Sequence, residues 1–471
     1  MAIKRYIADK DTTITNAYKQ DLITLATGSN MGASDSLEIF SIYAQATSDS
    51  VEKSRILVGF PVSDIISDRS SGLIGTSGSV EFYLKMYNAK HPLTLPRQFT
   101  INVYPLTRDW DEGNGLDMEG YVDEGWGEDG SGATWTYATT GTEWTLTGSD
   151  YHTDVYSQYF DDGDEDLSIN ISDLVEQWVD GTKSDYGVVL RLSGTNEDGS
   201  ELQSYYTKKF FARGSEYWFK RPIIEARWDD SKRDDRGKFY ASCSFLSNNS
   251  NTLYLYNFYD GNFTNLPNES LSVKLYDALS GGVEVSEGTS VGRKETGIYT
   301  ASFVANTLSG TLYDMWSITG TTTCYYTGTL SVKTRQLQQY SADRKKYITK
   351  LTNLKNDYYD YEYGKFRFFV REEDWSPTVY SKASKEIENS IIRDMYWKVF
   401  RLADDLDIIN YGTGSIPYTK MSYDVSGSYF ELDMSILEPG YMYGIKTAQY
   451  INSNLVENRE TFKFRVDSHN E

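Results

Sequence analysis

Cysteine is nearly absent. Cys243 and Cys324 are the only two in 471 residues, too few for a disulfide-dense scaffold or a four-thiolate zinc site. They are left as one bridge within a β domain or as two buried thiols. Histidine is as scarce: His91, His152 and His469 lie far apart, which argues against a His-rich metal site and gives little footing for a Ser-His-Asp triad. Nine prolines and an ordinary glycine content exclude a collagen-like or low-complexity chain. No apolar run approaches the ~18 residues of a transmembrane helix. The opening "MAIKRYIADKDTTIT" lacks the apolar centre of a secretory signal, so we expect cytosolic synthesis and no membrane insertion.

Positive charge is short as well. Lysine and arginine number 46 against 68 acidic residues, for a net charge of −22. Such a field repels phosphate backbones, and no basic stripe interrupts it, so no nucleic-acid partner is expected. Phosphate loops, nucleophile elbows and dinucleotide fingerprints are also missing. What is abundant is aromatic surface: 15% of the residues, led by 39 tyrosines.

Strand patterns dominate the chain. In "VEFYLKMY", Phe82, Leu84 and Met86 alternate with Glu81, Tyr83 and Lys85, the period of a half-buried strand. "SRILVGFPV", "FTINVYPLT" and "YGVVLRLSG" are β-branched and aromatic runs between turn residues. One helix stands out in "ISDLVEQWVDG", with Leu174, Val175, Trp178 and Val179 on one face, Ser172 or Asp173 as N-cap and Gly181 as the stop. A charged run, "WDDSKRDDRGK" (Trp228–Lys238), reads as a first boundary. Six or seven short strands follow before a second boundary near "TRQLQQYSADRKK", and a further set follows that. "KEIENSIIRD" is either a short helix or a strand entry. We therefore expect an all-β chain of three β-sandwich domains in series. Residues 1–228 would form a jelly-roll-like sandwich with one helix, and 239–334 and 342–468 two immunoglobulin-like sandwiches.

In the first domain "YIADKDTTIT", "GSNMGASDSLEI", "SRILVGFPV", "YPLTRDWDEGNG", "GATW", "TEWTLTGSD", "ISDLVEQWVDG", "YGVVLRL" and "KRPIIEARW" occur in that order. The order resembles the DNRLRE-type, or disaggregatase-related, β-sandwich family, whose members occur as carbohydrate-binding or surface modules. The chain departs from the family's Ser-Arg-Glu motif, because "FFARGSEYWFKRP" splits Arg213 from Glu216. The acidic, tyrosine-rich chain with "GRKETGIYTASF" in its middle also resembles virion structural proteins of tailed phages.

The candidate chemistry gathers in residues 109–144. Asp109, Asp111 and Glu112 of "RDWDEG" are acceptors for backbone N–H groups in a glycine turn, or ligands for a hard cation such as calcium. As a glycosidase pair, Asp111 and Glu112 are poorly placed, since adjacent strand positions face opposite ways. The runs "YVDEGWGEDGSG" and "YFDDGDEDLSIN" offer calcium oxygens but lack EF-hand spacing. Trp110, Trp126, Trp135 and Trp144 are either staples of the sandwich or, exposed, a sugar platform. Trp126, Tyr121 and Trp135 are the carbohydrate candidates. Sequons at Asn170, Asn248, Asn262 and Asn268 are chance occurrences in an Asn/Ser/Thr-rich chain.

The resemblances imply a structural, non-enzymatic protein of a tailed-phage virion: capsid decoration, neck or collar, fibre or baseplate. It would assemble in the host cytoplasm with other virion proteins and copies of itself, with a surface glycan as a further partner and no cofactor beyond calcium. The competing expectation is a secreted or cell-surface carbohydrate-binding protein whose site is the aromatic loops of residues 110–150.

Overall fold

A computed structural model describes residues 2–90, 96–119, 132–241, 250–304, 309–333, 347–373, 389–451 and 453–469, without the side chains of residues 250 and 372. The chain is all-β, built of β-sandwich domains, and divides into two compact units, Ala2–Trp228 and Asp229–Glu471. Among the described residues no helix is long and apolar enough to cross a membrane.

Among the described residues the first unit has thirteen strands. They begin with β1 (Ile3–Ile7), β2 (Lys10–Thr15), β3 (Ser36–Tyr43), β4 (Val51–Gly59), β5 (Val80–Met86) and β6 (Phe99–Pro105). After β7 (Tyr137–Thr139) and β8 (Thr142–Glu143) come β9 (Tyr156–Phe160), β10 (Leu167–Asn170), β11 (Val188–Leu192), β12 (Tyr205–Phe211) and β13 (Ile223–Trp228). One sheet runs β1-β13-β5-β10, and the other β12-β3-β4-β11-β6-β9 with β2 paired to β4. Alternation sets the core: β5 buries Val80, Phe82, Leu84 and Met86, and β6 buries Phe99, Ile101 and Val103. β4 and β11 do not alternate. Ile56, Val58, Val188 and Leu190 point into the sandwich, whereas Leu57 and Val189 enter a second core on the sheet's other side. Strands covered on both faces read as continuous apolar runs.

Among the described residues three helices accompany the sandwich where the sequence pointed to one, the third a single turn at Gly194–Glu197. α1 (Val62–Ser71) was hidden because only Val62 and Ile65 are buried along it. Its signals are Pro61 at the start and Gly72, with φ 76°, at the stop. α2 (Ser172–Val179) buries Leu174, Val175 and Trp178 as its pattern demands. Its N-cap position is Ile171, without a side-chain cap; Ser172 Oγ instead accepts the Phe82 N–H at 2.8 Å. Arg69 of α1 grips Glu176 of α2 through two bonds of 2.6 Å.

In the second unit, a three-stranded sheet (Ser250–Tyr256, Ile298–Val304, Thr289–Glu295) and a four-stranded one (Glu284–Glu287, Leu271–Tyr276, Gly310–Ile318, Cys324–Val332) enclose one core. Trp316, Tyr299, Phe303 and Phe239 are its largest members. Cys324 is a free, exposed thiol, not a buried one; Cys243 lies outside the described residues. The last sandwich pairs a sheet around Tyr363–Glu372 and Gly427–Asp433 with one around Met442–Ile451 and Met395–Arg401. Trp397 stacks on Phe430 at 4.2 Å and 7° in its aromatic core. Only residues 389–394 of "KEIENSIIRD" are described, and they form no helix.

The charged run read as a first boundary is, from Asp229 on, built into this second unit. Asp234 and Asp235 are buried. Asp235 accepts the Thr252 N–H, the Tyr423 hydroxyl and an Arg393 N–H at 2.9, 2.9 and 3.1 Å. Arg236 makes a two-point bond to Asp314 at 2.6 and 2.7 Å, and Asp314 also accepts the Trp316 indole N–H. Burial pushes the Asp234 carboxyl up to about 6, against the pull of the Arg236 N–H it accepts.

Candidate functional site

The "RDWDEG" segment closes a loop layer over the outer face of the seven-stranded sheet. Trp110, Trp135 and Trp144 pack there on Ile14, Leu57 and Val189. Trp110 is 1% exposed, and its indole N–H donates to the Tyr186 carbonyl at 2.9 Å. Lys10 lies over its ring at 4.7 Å and donates to Asp109 and to the Trp110 carbonyl, each at 2.8 Å. Glu112 takes the Arg213 guanidinium on both oxygens, at 2.9 and 2.7 Å, and also accepts the Asp11 N–H at 2.9 Å. Arg213 returns its own N–H to Asp11 at 2.6 Å. Asn30 holds the layer down by donating to the Glu112 and Ala133 carbonyls and accepting from Gly115, at 2.8 to 3.0 Å.

The three acidic candidates therefore have different uses. Asp109 faces Lys10, and Glu112 faces Arg213. Asp111 is exposed, and its backbone bonds Ala133 and Ala138. Among the described residues no three acidic, histidine or cysteine side chains converge as a metal site. For Asp109, burial raises the pKa, but the Lys10 ammonium and the Trp110 N–H outweigh it and hold the carboxyl below its usual range. Asp11, at 1% exposure, is pushed up to about 7 by burial, the Arg213 N–H opposing and Glu112 reinforcing the shift.

The second acidic run, at 161–166, has a resident cation of another kind. Glu165 accepts the N–H groups of Asp161, Asp162 and Gly163 at 2.7 to 2.8 Å. Lys208 Nζ reaches the carbonyls of Gly163 and Glu165, at 3.1 and 2.9 Å, and Asn88 Oδ1 at 2.6 Å. An ammonium sits where backbone oxygens and a side-chain amide would otherwise suit a metal.

Of the sugar-contact candidates, Tyr121 and Trp126 lie outside the described residues. Trp135 is in the second core, 8% exposed, with the Arg55 guanidinium 5.1 Å above its ring. Arg55 itself is clamped by Glu197, at 2.8 and 3.0 Å, and by the Gly148 carbonyl at 2.6 Å. Its burial under that clamp leaves Trp135 no open face for a pyranose, which corrects its placement as a sugar contact.

Single tyrosines such as Tyr159 and Tyr217 are open in the first unit, but exposed aromatic rings also pair on a hairpin of the second unit, at positions the sequence reading passed over. Phe258–Tyr259 and Asn262–Phe263 form a hairpin whose turn residues, Asp260 and Gly261, have φ of 50° and 80°, the two left-handed residues of a type I′ turn. Phe258 and Phe263 stand directly opposite, rings 4.1 Å apart, at 58% and 40% exposure; Tyr259, on the other face, is 76% exposed. The hairpin is braced at its base. Asn257 donates its N–H to Gly297 and its side-chain amide to the Thr264 carbonyl at 2.6 Å, and Thr264 returns an N–H to Asn257. An Asp-Gly pair between aromatic residues was the available signal. A second group joins Tyr359 and Tyr361, stacked at 5.8 Å and 8°, to His469, whose ring meets Tyr361 edge-on and whose Nδ1 lies 3.2 Å from Asp360.

No known protein family matches the chain, and neither does any curated protein. Among solved structures it is similar to the Yersinia pseudotuberculosis adhesin InvE, at 12% identity and TM-score 0.16, over 48% of this chain and 56% of that one. The match thus spans just over half of InvE. The Ig1-2 module of the Drosophila receptor protein tyrosine phosphatase DLAR is 8% identical over 47% of this chain and 92% of its own, with TM-score 0.15. The FN1–FN3 domains of chicken CNTN1 are 8% identical over 87% and 94%, with TM-score 0.14. At such scores none of these likenesses bears on function.

Proposed function

We propose that this chain is a non-enzymatic structural protein that works through surface contacts, as a component of a tailed-phage virion. It assembles in the host cytoplasm with other virion proteins and with copies of itself. The observation that carries the proposal is the braced hairpin presenting Phe258, Tyr259 and Phe263 to solvent. Aromatic side chains held rigid before binding lose little entropy on docking and make the strongest anchors of protein interfaces. Two further facts support a contact protein over an enzyme. Glu112 and Asp109 are tied to arginine and lysine within the fold, and a net charge of −22 suits a protein kept soluble at high local concentration before it assembles. The virion assignment is supported by the sequence resemblance described above.

Light scattering coupled to size exclusion, on the full chain with and without calcium, tests this. A discrete trimer, pentamer or hexamer that dissociates when Phe258 and Phe263 are both replaced by serine is the expected result. A chain that stays monomeric at every concentration would overturn self-assembly. An oligomer untouched by the double variant would remove the hairpin from the interface.

A further inference from the structure

Lys208 is the most deeply buried cation of the first unit, at 1% exposure in β12 of the seven-stranded sheet. Its Nζ lies 5.1 Å from the Phe160 ring and 5.0 Å from the Phe210 ring. Asn88 follows β5, a strand of the opposite sheet, and bridges to Phe210. Its Oδ1 is 2.6 Å from Lys208 Nζ, which leaves its carboxamide carbon one bond further away. The Asn88 N–H is fixed by Asp166 Oδ1 at 2.7 Å. A buried primary amine beside two aromatic rings and a half-buried carboxamide are thus held in contact, from elements of two sheets.

We propose that Lys208 and Asn88 become joined by an amide bond that forms spontaneously in the folded protein, a covalent cross-link between the two sheets of the first sandwich. The lone pair of the neutral amine adds to Cγ of Asn88. The Cγ–Nδ2 bond then breaks, and Nδ2 leaves as ammonia, carrying the proton that Nζ gives up. The Nζ–Cγ bond is new, one ammonia is lost, and no oxidant, cofactor or second substrate is consumed. The remaining amide N–H still has the Gly163 and Glu165 carbonyls as acceptors.

Three physical features favour the step. Folding replaces a bimolecular encounter with a fixed contact, which removes the translational and rotational entropy cost of bringing the two groups together. The Phe160 and Phe210 rings, 5.1 and 5.0 Å from Nζ, keep the amine away from bulk water. Burial also lowers the amine to about 8, against the pull of Glu165, Asp166 and Asp164, so free amine is present near neutral pH. The bond would close a loop of 120 positions in a unit that has no cysteine. It is independent of the surface-contact proposal and stands or falls without it.

The test is the intact mass of the purified full chain under denaturing conditions, followed by proteolytic mapping. The expected mass is one ammonia below that of the sequence, with a branched peptide joining Lys208 to Asn88. Lys208→Arg restores the full mass, as does Asn88→Ala, the milder change if the arginine variant does not fold. Full sequence mass, with Asn88 and Lys208 recovered in separate linear peptides, would overturn the proposal. So would an ammonia loss mapped to a succinimide at another asparagine.

Discussion

The backbone N–H of Arg213 donates to Asp11 Oδ2 at 2.6 Å, across 202 positions of sequence. This one bond joins the turn after β12 to strand β2 and brings the Arg213 guanidinium onto Glu112. Asp11 is the member of this clasp that titrates near neutrality, because burial outweighs the N–H it accepts.

A raised carboxyl pKa means that the folded protein binds the proton more tightly than the unfolded chain. The contribution of Asp11 to stability is therefore greatest below pH 4 and is lost as pH rises from 4 through about 7. Asp11→Asn should remove this slope and stabilise the first unit at pH 8 by about 1–3 kcal/mol. Urea denaturation of wild type and variant at pH 5 and pH 8 measures it. Equal pH slopes for the two proteins would contradict the assignment.

Gly115 tests whether "RDWDEGNG" is a packed turn. A Cβ there would lie 1.8 Å from the Asn30 carbonyl oxygen, a clash with backbone that no rotamer relieves. Gly115→Ala is expected to cost about 2–4 kcal/mol. Gly141→Ala, where a Cβ meets nothing but φ is 82°, should cost about 1 kcal/mol. Thermal denaturation of the two variants ranks them.

The Arg236–Asp314 pair predicts a non-additive result. Asp314 is fully buried and also accepts the Trp316 indole N–H. Arg236→Met leaves the Asp314 charge without a countercharge, at a cost of about 3–5 kcal/mol. Adding Asp314→Leu removes that charge, so the double variant should be more stable than the single one. A double-mutant cycle read by chemical denaturation decides it.

The hairpin predicts the opposite pattern, function without stability. Phe258 and Phe263 face each other and both are exposed, so Phe258→Ser with Phe263→Ser should change folding stability by about 1 kcal/mol or less. Association should be lost in the same protein. A large drop in melting temperature would make the pair a part of the core.

Much of this fold could be read from period-two alternation, as in β5 and β6, and from the amphipathic face of α2. α1 escaped because two buried residues make no stripe. The charged run at 229–238 looked like a linker because its partners are far away in sequence: Asp314 lies 78 positions beyond Arg236, and Tyr423 lies 188 beyond Asp235. Sequence spacing shows the charge but not the pairing that lets it be buried. Trp110 and Trp144, which the sequence left open between staple and sugar platform, are buried and donate their indole N–H groups to backbone carbonyls. Trp135 as a sugar contact could not be judged until Arg55 was seen above it.

The burial of Asp234 and Asp235 has a practical consequence for dissection of the chain. A fragment started at Phe239 would discard Asp235, on which Thr252, Arg393 and Tyr423 converge, and would strand Asp314 without its guanidinium. The natural cut falls ten residues earlier, after Trp228, where the two units part. Seen this way, residues 229–238 are the foundation of the C-terminal half, and any shuffling of these modules would have to carry them with it.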